Sequence, residues 1–570
     1  MTARVVIAMI CAVIAAVVIG VCAWLYFAHV KTTTQHVAYR KAVHVSTQHF
    51  ATCHITWPRV RVEYAKLFHI VYTGSYYVIV KDAANHTFIL VPKGCPIPKN
   101  VSGIVVQVPV TRVVYFSTTE VALLYRIAEH LHRLSLLRTA VGVTWRGVWW
   151  IPYMNELLNN GTVKYVGSSW QPNIEEIVAL HPQLVVMYTG IPVMVNIMYK
   201  LEKVGLHVLV DNEWLEHSYL ARFEWIKLIG ALYGPEGLRA AEEIFNNTVS
   251  TVEEIFKECE GLPKVPFAWF VMYWGKFYVP GTKSYVVQAL TRMGGAYVFT
   301  APNLASTGSA TVSREFVDSR VANADLIVIS GMPPYTTSLN TYLQALPDMA
   351  HSPAVKEFRV FELHPSYWQL GYAYTDKVLL QLASLLHPER FRGVYRTFFI
   401  PLYFNDRKTT VDNVTIYWKG YFEIVQDSLG HKLLIIPWGL LNQTKYFNPK
   451  AFPVIAELEQ LTKTVNAIIQ TPVTRVVVYK TCVPYIEELG FSKSIILTIN
   501  EERLKDLSKI IKLHPQVVIL DSRYVNSTIV NKLLNNKIPV LYINCGVKSS
   551  GFVISLLYNY PDLGYMLFLK

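Results

Sequence analysis

Two carboxylates sit where helices begin. In Ser169-Trp-Gln-Pro-Asn-Ile-Glu-Glu-Ile-Val-Ala-Leu-His-Pro-Gln-Leu-Val-Val-Met-Tyr-Thr-Gly190, Pro172 and Asn173 open a helix. Glu175 and Glu176 fill its first turn, where the helix dipole favours anions. Glu315 occupies the matching place in Gly308-Ser-Ala-Thr-Val-Ser-Arg-Glu-Phe-Val317. An exposed acid held rigidly in this way makes a directional, charge-assisted pair with an arginine, or it simply complements the dipole. Large aromatics cluster around these stretches: Trp145, Trp149, Trp150 and Tyr153, then Trp170 and Trp214, then Tyr273, Trp274, Tyr285, Tyr367 and Trp368. Their faces can hold a flat ligand while Arg146 or Arg222 meets its anionic groups, and several can equally serve as packing. The sequence carries no nucleophile elbow, no P-loop and no pair of acids in a catalytic context, so an enzyme is not expected. His181, His387 and His514 each precede a proline at a helix end, and no H-x-x-x-H spacing occurs, so direct metal ligation is not expected either.

The elements that must position these groups are short helix–strand units. Ile174, Ile177 and Val178 make an apolar stripe, and His181-Pro182 stops the helix. Leu184 to Met187 is a continuous apolar run of the kind that lies in a parallel strand covered on both faces. The spacing Asn-Ile-Glu-x-Ile-x-Ala-Leu-x-Pro-x-Leu-Val resembles the signature of substrate-binding proteins that serve ABC importers of cobalamin, haem and ferric siderophores. The element G-S-x-x-V-S-x-E, ending at Glu315, extends that resemblance, which covers about residues 110–391.

The resemblance implies an α/β fold of two Rossmann-like lobes joined by a long helix, with the ligand held between them. Trp145 and Trp170 match ligand-contacting loops of the family. Glu175 on the first lobe and Glu315 on the second match the acids that grip arginines on the two permease subunits. The implied partners are an ABC permease dimer with its ATPase subunits and a small metal chelate (ferric siderophore, haem or cobalamin). No intrinsic cofactor is implied.

Composition sets the frame. A chain of 570 residues has room for several domain-sized units, and 52% hydrophobic against 16% charged residues excludes a mostly disordered chain. The net charge of +13 suits an anionic ligand or lipid surface, or equally a scatter of surface lysines. No basic block interleaved with aromatics points to nucleic acid. Val5 to Ala28 is almost wholly apolar, long enough to span a membrane, and lacks an obvious cleavage site, which predicts an N-terminal anchor with the bulk of the chain outside the cell. Sequons at Asn85, Asn100, Asn160, Asn246, Asn413, Asn442 and Asn526 agree with an exterior location. Cys53 and Cys95 can pair there; Cys259, Cys482 and Cys545 form no C-x-x-C motif.

Along the chain the pattern predicts a transmembrane anchor or signal over 1–30, a tether over 31–66 and a small β meander over 67–109. A first α/β lobe follows over 110–215, then linking helices over 216–262 and a second α/β lobe over 263–400. Residues 401–570 read as a partial repeat of the meander and first lobe. Gln470-Thr-Pro-Val-Thr-Arg-Val-Val-Val-Tyr repeats Gln107-Val-Pro-Val-Thr-Arg-Val-Val-Tyr, and Ile510-Ile-Lys-Leu-His-Pro-Gln-Val-Val-Ile repeats Ile177-Val-Ala-Leu-His-Pro-Gln-Leu-Val-Val. Aligned on His514, the copy has Ser508 and Lys509 where Glu175 and Glu176 stand, so it lacks the docking charge. The reading also expects the copy to stop before any linking helix. A cell-surface sensor or interaction protein that kept the fold without transport is the alternative function.

Overall fold

The computed structural model describes residues 53–74, 76–331 and 338–570. The expected anchor over 1–30 lies outside the described residues, and among those described no helix is long and apolar enough to cross a membrane.

The described chain opens with a segment pinned in place. Trp57, Val60 and Ala65 are buried, and Cys53 is joined to Cys95. The Glu224 carboxylate accepts the backbone N–H groups of Glu63, Tyr64 and Ala65 at 2.7–2.8 Å. Glu216 accepts those of Lys66 and Leu67 and the indole N–H of Trp225. The tether expected over 31–66 is therefore corrected for its described part: its backbone donors are used by buried acids, which holds it against the linking helices. It leads into a sheet of β1 (His69–Tyr72), β2 (Val78–Lys81), β3 (Thr87–Pro92) and β4 (Ile104–Val108), in that order, with β3 and β4 parallel.

Next come β5 (Val113–Tyr115), β6 (Ala140–Val143) and β7 (Lys164–Tyr165), then a two-residue ribbon of β8 (Gly167–Ser168) and β9 (Gln171–Pro172), then β10 (Leu184–Met187) and β11 (Val208–Val210). Five of these form a parallel sheet in the order β11-β10-β5-β6-β7. Its four main strands are buried along their whole length, which explains their unbroken apolar runs. The chain leaves β5 toward β6 on one side and β10 on the other, and the crevice at such a switch point is where open α/β sheets bind ligands. His181 ends its helix in the left-handed region (φ 45°), as a C′ residue, and not in the extended conformation expected before proline; its N–H bonds the Val178 carbonyl.

Helices Tyr219–Phe223 and Ile226–Leu232 lead to a 26-residue helix, Gly234–Cys259, which delivers the chain to the second lobe. That lobe is built from β12 (Val265–Tyr273), β13 (Lys276–Pro280), β14 (Gly295–Tyr297), β15 (Ser309–Val312), β16 (Leu326–Ile329), β17 (Val360–Leu363) and β18 (Phe399–Pro401). Its sheet runs β15-β13-β12-β16-β17-β18, with β14 beside β12.

The remaining strands make two sheets: β19 (Arg407–Val411), β20 (Val414–Lys419), β21 (Phe422–Gln426), β22 (Lys432–Pro437) and β23 (Ala467–Thr471); then β24 (Val476–Tyr479), β25 (Ile495–Ile499), β26 (Val517–Asp521) and β27 (Val540–Ile543), ordered β25-β24-β26-β27. Small details repeat along with the strands. Asp427 accepts the N–H of His431 and meets its ring, as Asp82 does with His86. Gln516 accepts the N–H groups of Thr474 and Arg475, as Gln183 does with Thr111 and Arg112. His514 has φ 44°, matching His181.

The expectation that the copy stops before a linking helix is corrected. Helices Ser550–Leu556 and Pro561–Phe568 follow β27. Val473 N–H bonds Leu557 O as Val110 N–H bonds Leu232 O, and Ser494 meets the Tyr558 hydroxyl as Thr139 meets that of Tyr233. The signal was weak because Tyr558-Asn559-Tyr560-Pro561 replaces Tyr233-Gly234-Pro235, with Asn559 (φ 61°) taking the left-handed role of Gly234. A disulfide between Cys482 and Cys545, which the spacing did not suggest, closes this sheet's end and leaves Cys259 free and buried.

The copy packs on the second lobe. Phe422, Ile424, Leu434 and Ile436 share one core with Phe270, Ile327 and Ile329. Arg396, wholly buried, meets the wholly buried Asp562 at 2.7 Å, and Asn559 bonds the carbonyls of Arg396 and Phe399. Removing one partner strands a buried charge. Asp562→Ala is expected to lower stability by about 3–5 kcal/mol in urea denaturation, whereas the double variant Arg396→Met, Asp562→Leu recovers most of that loss; equal loss in both would show that the ion pair is not the cause.

Candidate functional site

The ends of β5, β6, β10 and β11 face the second lobe across a cleft of about 820 Å³. After β5, Ser117 caps the helix Thr118–His130. Its side chain and the Glu120 carboxylate close a reciprocal capping box, which fixes Glu120 on the cleft wall. After β6 come Trp145 and Trp150; after β10, Tyr188; after β11, Asp211, Glu213 and Trp214. The second lobe contributes Trp269, Tyr278, Tyr285, Tyr367 and Trp368. The C-terminal copy adds Gln443 and Phe447.

Of the expected ligand contacts, Trp145, Trp150, Trp214, Arg222, Tyr285 and Trp368 therefore line the cleft. Four do not. Trp149 is 2% exposed and packs in the core below the loop, its backbone tied to Asn155. Arg146 points outward over the Tyr165 ring at 5.8 Å. Trp170 lies against the first-lobe core beside Ile174 and Leu180. Trp274 is 79% exposed at the tip of the β12–β13 hairpin, where Trp274 (φ 50°) and Gly275 (φ 70°) form the two-residue turn. Such turns demand positive φ at both central residues and aim the side chain away from the sheet.

The two lobes touch at specific points. Gln369 accepts from the Trp150 N–H and donates to Val148 O, and on the linking helices the Tyr219 hydroxyl meets that of Tyr367 at 2.9 Å. The Trp150 ring contacts His364 and Trp438, while Gly439 lies so close that a Cβ there would meet Trp150 at 2.2 Å. His364 bridges Ser366 and the Trp438 carbonyl, and burial pushes its pKa down to about 4. The neutral ring thus donates through Nε2 to the carbonyl. Trp438 belongs to the copy, so all three parts of the molecule meet at one edge of the cleft.

Sequence reading missed the acids. Glu120, Asp211 and Glu213 are each buried and line the cleft near Arg222. Burial, then Asp211, raises the Glu120 carboxyl well above its usual range; burial, then Glu213, does the same to Asp211. Burial raises Glu213 to about 7, although Arg222, at 3.6 Å, pulls it down. Two signals were present: Glu120 closes a Ser-x-x-Glu box, and Asp211 follows an apolar strand at its carboxyl end. Gln443 and Phe447 had no sequence signal, since only the packing of the copy brings them here.

Glu175 and Glu315, the acids for which the resemblance implies docking, stand apart from the cleft. Glu175 is exposed in the first turn of Ile174–Ala179, capped by Asn173. Glu315 is exposed in the first turn of Arg314–Val321, capped by Ser313, and the backbone N–H at the helix start holds its carboxyl below the usual range. In the copy, Ser508 and Lys509 are exposed at the start of Ser508–Lys512. His181 and His514 are exposed turn residues, while His387 is buried with Nε2 on Met293 O. Among the described residues, the one His/Cys/Asp/Glu group close enough to share an ion is Cys482, Asp521 and Cys545, whose sulfurs are joined to each other.

Comparison with known proteins adds the following. The family described as periplasmic binding protein matches residues 121–367. An uncharacterized lipoprotein of Methanocaldococcus jannaschii is 34% identical over 336 residues, which is 57% of this chain and 78% of that one. A haem-binding protein of Pseudomonas aeruginosa aligns at 16% identity over 49% of this chain and 93% of its own, with a TM-score of 0.37. A siderophore-binding protein, solved with acinetobactin and ferric iron, aligns at 16% identity over 55% and 99%, with a TM-score of 0.40.

The acid cluster has a consequence for stability. The folded state holds the Glu213 proton more tightly than the unfolded chain does, so its contribution falls as pH rises from 4.5 through about 7. Glu213→Gln is expected to flatten that fall in thermal melts across this window; identical slopes would contradict the burial of a titrating Glu213.

Proposed function

We infer, from the premise that the chain belongs to the periplasmic binding protein family, that it captures a metal chelate outside the cell and delivers it to an ABC permease. The family is one of binding proteins and not of enzymes, and the ABC substrate-binding role of its iron and cobalamin branch is the frame for the ligand. The observation that carries the reading is the cleft: about 820 Å³ of space, walled by Trp145, Trp150, Trp214, Tyr285 and Trp368. That volume and lining suit a drug-sized flat ligand such as a haem, a corrinoid or a ferric siderophore. Capture needs no chemistry on the ligand; ATP hydrolysis belongs to the partner subunits.

Delivery rests on Glu175 and Glu315. Each lobe presents one exposed acid on a capped helix start, the arrangement that two arginine-bearing permease subunits would read. The M. jannaschii relative is called a lipoprotein, and this agrees with a chain held at the outer membrane face. The Asn of every sequon named above is exposed, which also favours the exterior.

A second reading has its own observation. The copy lacks the docking acid, packs on the second lobe and reaches the cleft with Gln443 and Phe447. It would fit a surface sensor whose ligand state is read through that copy.

Two experiments separate these. Protein purified from its native host should carry a visible corrinoid, haem or ferric-chelate band with about one metal per chain; a colourless, metal-free chain that also gains no thermal stability from those compounds favours the sensor. Glu175→Ala with Glu315→Ala should lower uptake by about tenfold or more while ligand affinity is unchanged; unaltered uptake would contradict docking through these acids.

A further inference from the structure

The first lobe and the C-terminal copy correspond residue by residue. Val113 pairs with Leu184 as Val476 pairs with Val517, and Val185 pairs with Val208 as Val518 pairs with Val540. Counted from these pairs, Thr119, Glu120, Asp211 and Glu213 of the first lobe fall on Cys482, Val483, Ile543 and Cys545 of the copy. All four first-lobe residues line the cleft. In the copy two of the four are apolar, and the other two are joined to each other as a disulfide. A covalent bridge thus crosses, at the carboxyl ends of the copy's strands, the place that the first lobe leaves open to a ligand.

A second difference lies in the link between two paired strands. From β3 to β4 the chain uses residues 93–103, whereas from β22 to β23 it uses residues 438–466. The short link is tied down through Cys95 and does not reach the cleft. The long one lays Trp438 and Gly439 against Trp150, forms the helix Leu440–Gln443 and brings Gln443 and Phe447 to the cleft wall.

Gln443 stands there with an unused donor. Its backbone carbonyl accepts the N–H groups of Tyr446 and Phe447 at 2.9 and 3.2 Å, which fixes the residue in a turn. It is 1% exposed, yet its Nε2 has no partner. A buried amide donor left unpaired costs free energy, so its place on a cleft wall marks an atom that a ligand is shaped to meet. The other two units line the same space with unpaired donors of their own, the indole N–H of Trp214 on the first lobe and that of Trp368 on the second. Donors from three units around one space fit a ligand that carries acceptor oxygens.

We propose that the copy has given up a ligand crevice of its own and serves the main cleft instead, with Gln443 donating a hydrogen bond to an acceptor oxygen of the captured ligand. The assignment rests on the capture reading above. It adds a binding residue that lies outside both lobes, and it sets the stoichiometry at one ligand per chain.

The test uses the full chain, freed of bound ligand and titrated calorimetrically with haemin, cyanocobalamin and ferrioxamine B. Whichever probe binds should do so once per chain. Gln443→Met keeps the length of the side chain and removes the donor. It should weaken that probe by about five- to tenfold. The ligand-free variant should melt at the same temperature as the native chain or higher, because an orphaned polar group has gone. Trp145→Ala reports separately on the cleft. If Gln443→Met binds like the native chain while Trp145→Ala binds more weakly, the Gln443 contact is wrong and capture in the cleft stands. Weaker binding with a lower melting temperature of the ligand-free variant would make Gln443 a structural residue and overturn the contact, and two probes per chain would show that the copy keeps a site of its own. If no probe binds, or neither variant alters binding, capture between the lobes fails and the assignment fails with it.

Discussion

The cleft depends on a mechanical constraint: the chain passes from one lobe to the other through a single long helix, Gly234–Cys259, whose buried face is continuous with the cores on either side. A helix of this length does not fold back or stretch, so it sets the separation of the first lobe's parallel sheet from the second lobe's mixed one. Buried acids fasten the neighbouring elements to it. Lys227 joins Glu224 and Glu242, and Glu224 in turn holds the backbone of residues 63–65. With the lobes so placed, loops at the strand ends converge on one space, and their aromatics become walls.

The C-terminal copy alters what the constraint produces. Here a further unit shares its core with the second lobe and touches the first at Trp150, through Trp438 and Gly439. The cleft thus has three contributors, and the unit that lacks counterparts of Glu175 and Glu176 supplies Gln443 to its wall. Specialisation of the copy toward the cleft accounts for the lost negative charge at Ser508 and the reversed charge at Lys509 better than decay does, because the copy's own hydrogen-bond details at Asp427, Gln516 and Arg475 are intact.

How much was legible follows from range. Strands such as Leu184–Met187 announce themselves, since a strand covered on both faces must be apolar throughout. The repeat was legible because identical turns need identical residues. Local rules also placed Glu175 and Glu315 at helix starts. The cleft wall was legible only in part. Trp145 and Trp149 differ by four positions and look alike in sequence, yet one lines the cleft and the other fills the core. The Trp-Gly pair at 274–275 is a two-residue turn, which carries its tryptophan out to solvent and away from the cleft. The acids were hidden for another reason: Glu120 reads as a capping residue and Asp211 as a strand end, and only the fold brings Glu120 within range of Asp211 and Glu213.

The central claim is that a metal chelate is bound between the two lobes. Anomalous diffraction from crystals of the ligand-loaded protein tests it most directly, because it locates the metal without assuming its ligand. The account predicts one anomalous peak inside the cleft, flanked by Trp145 and Trp214 on one side and Tyr285 and Trp368 on the other. A peak on the outer surface, or at the C-terminal copy away from Gln443, would contradict it.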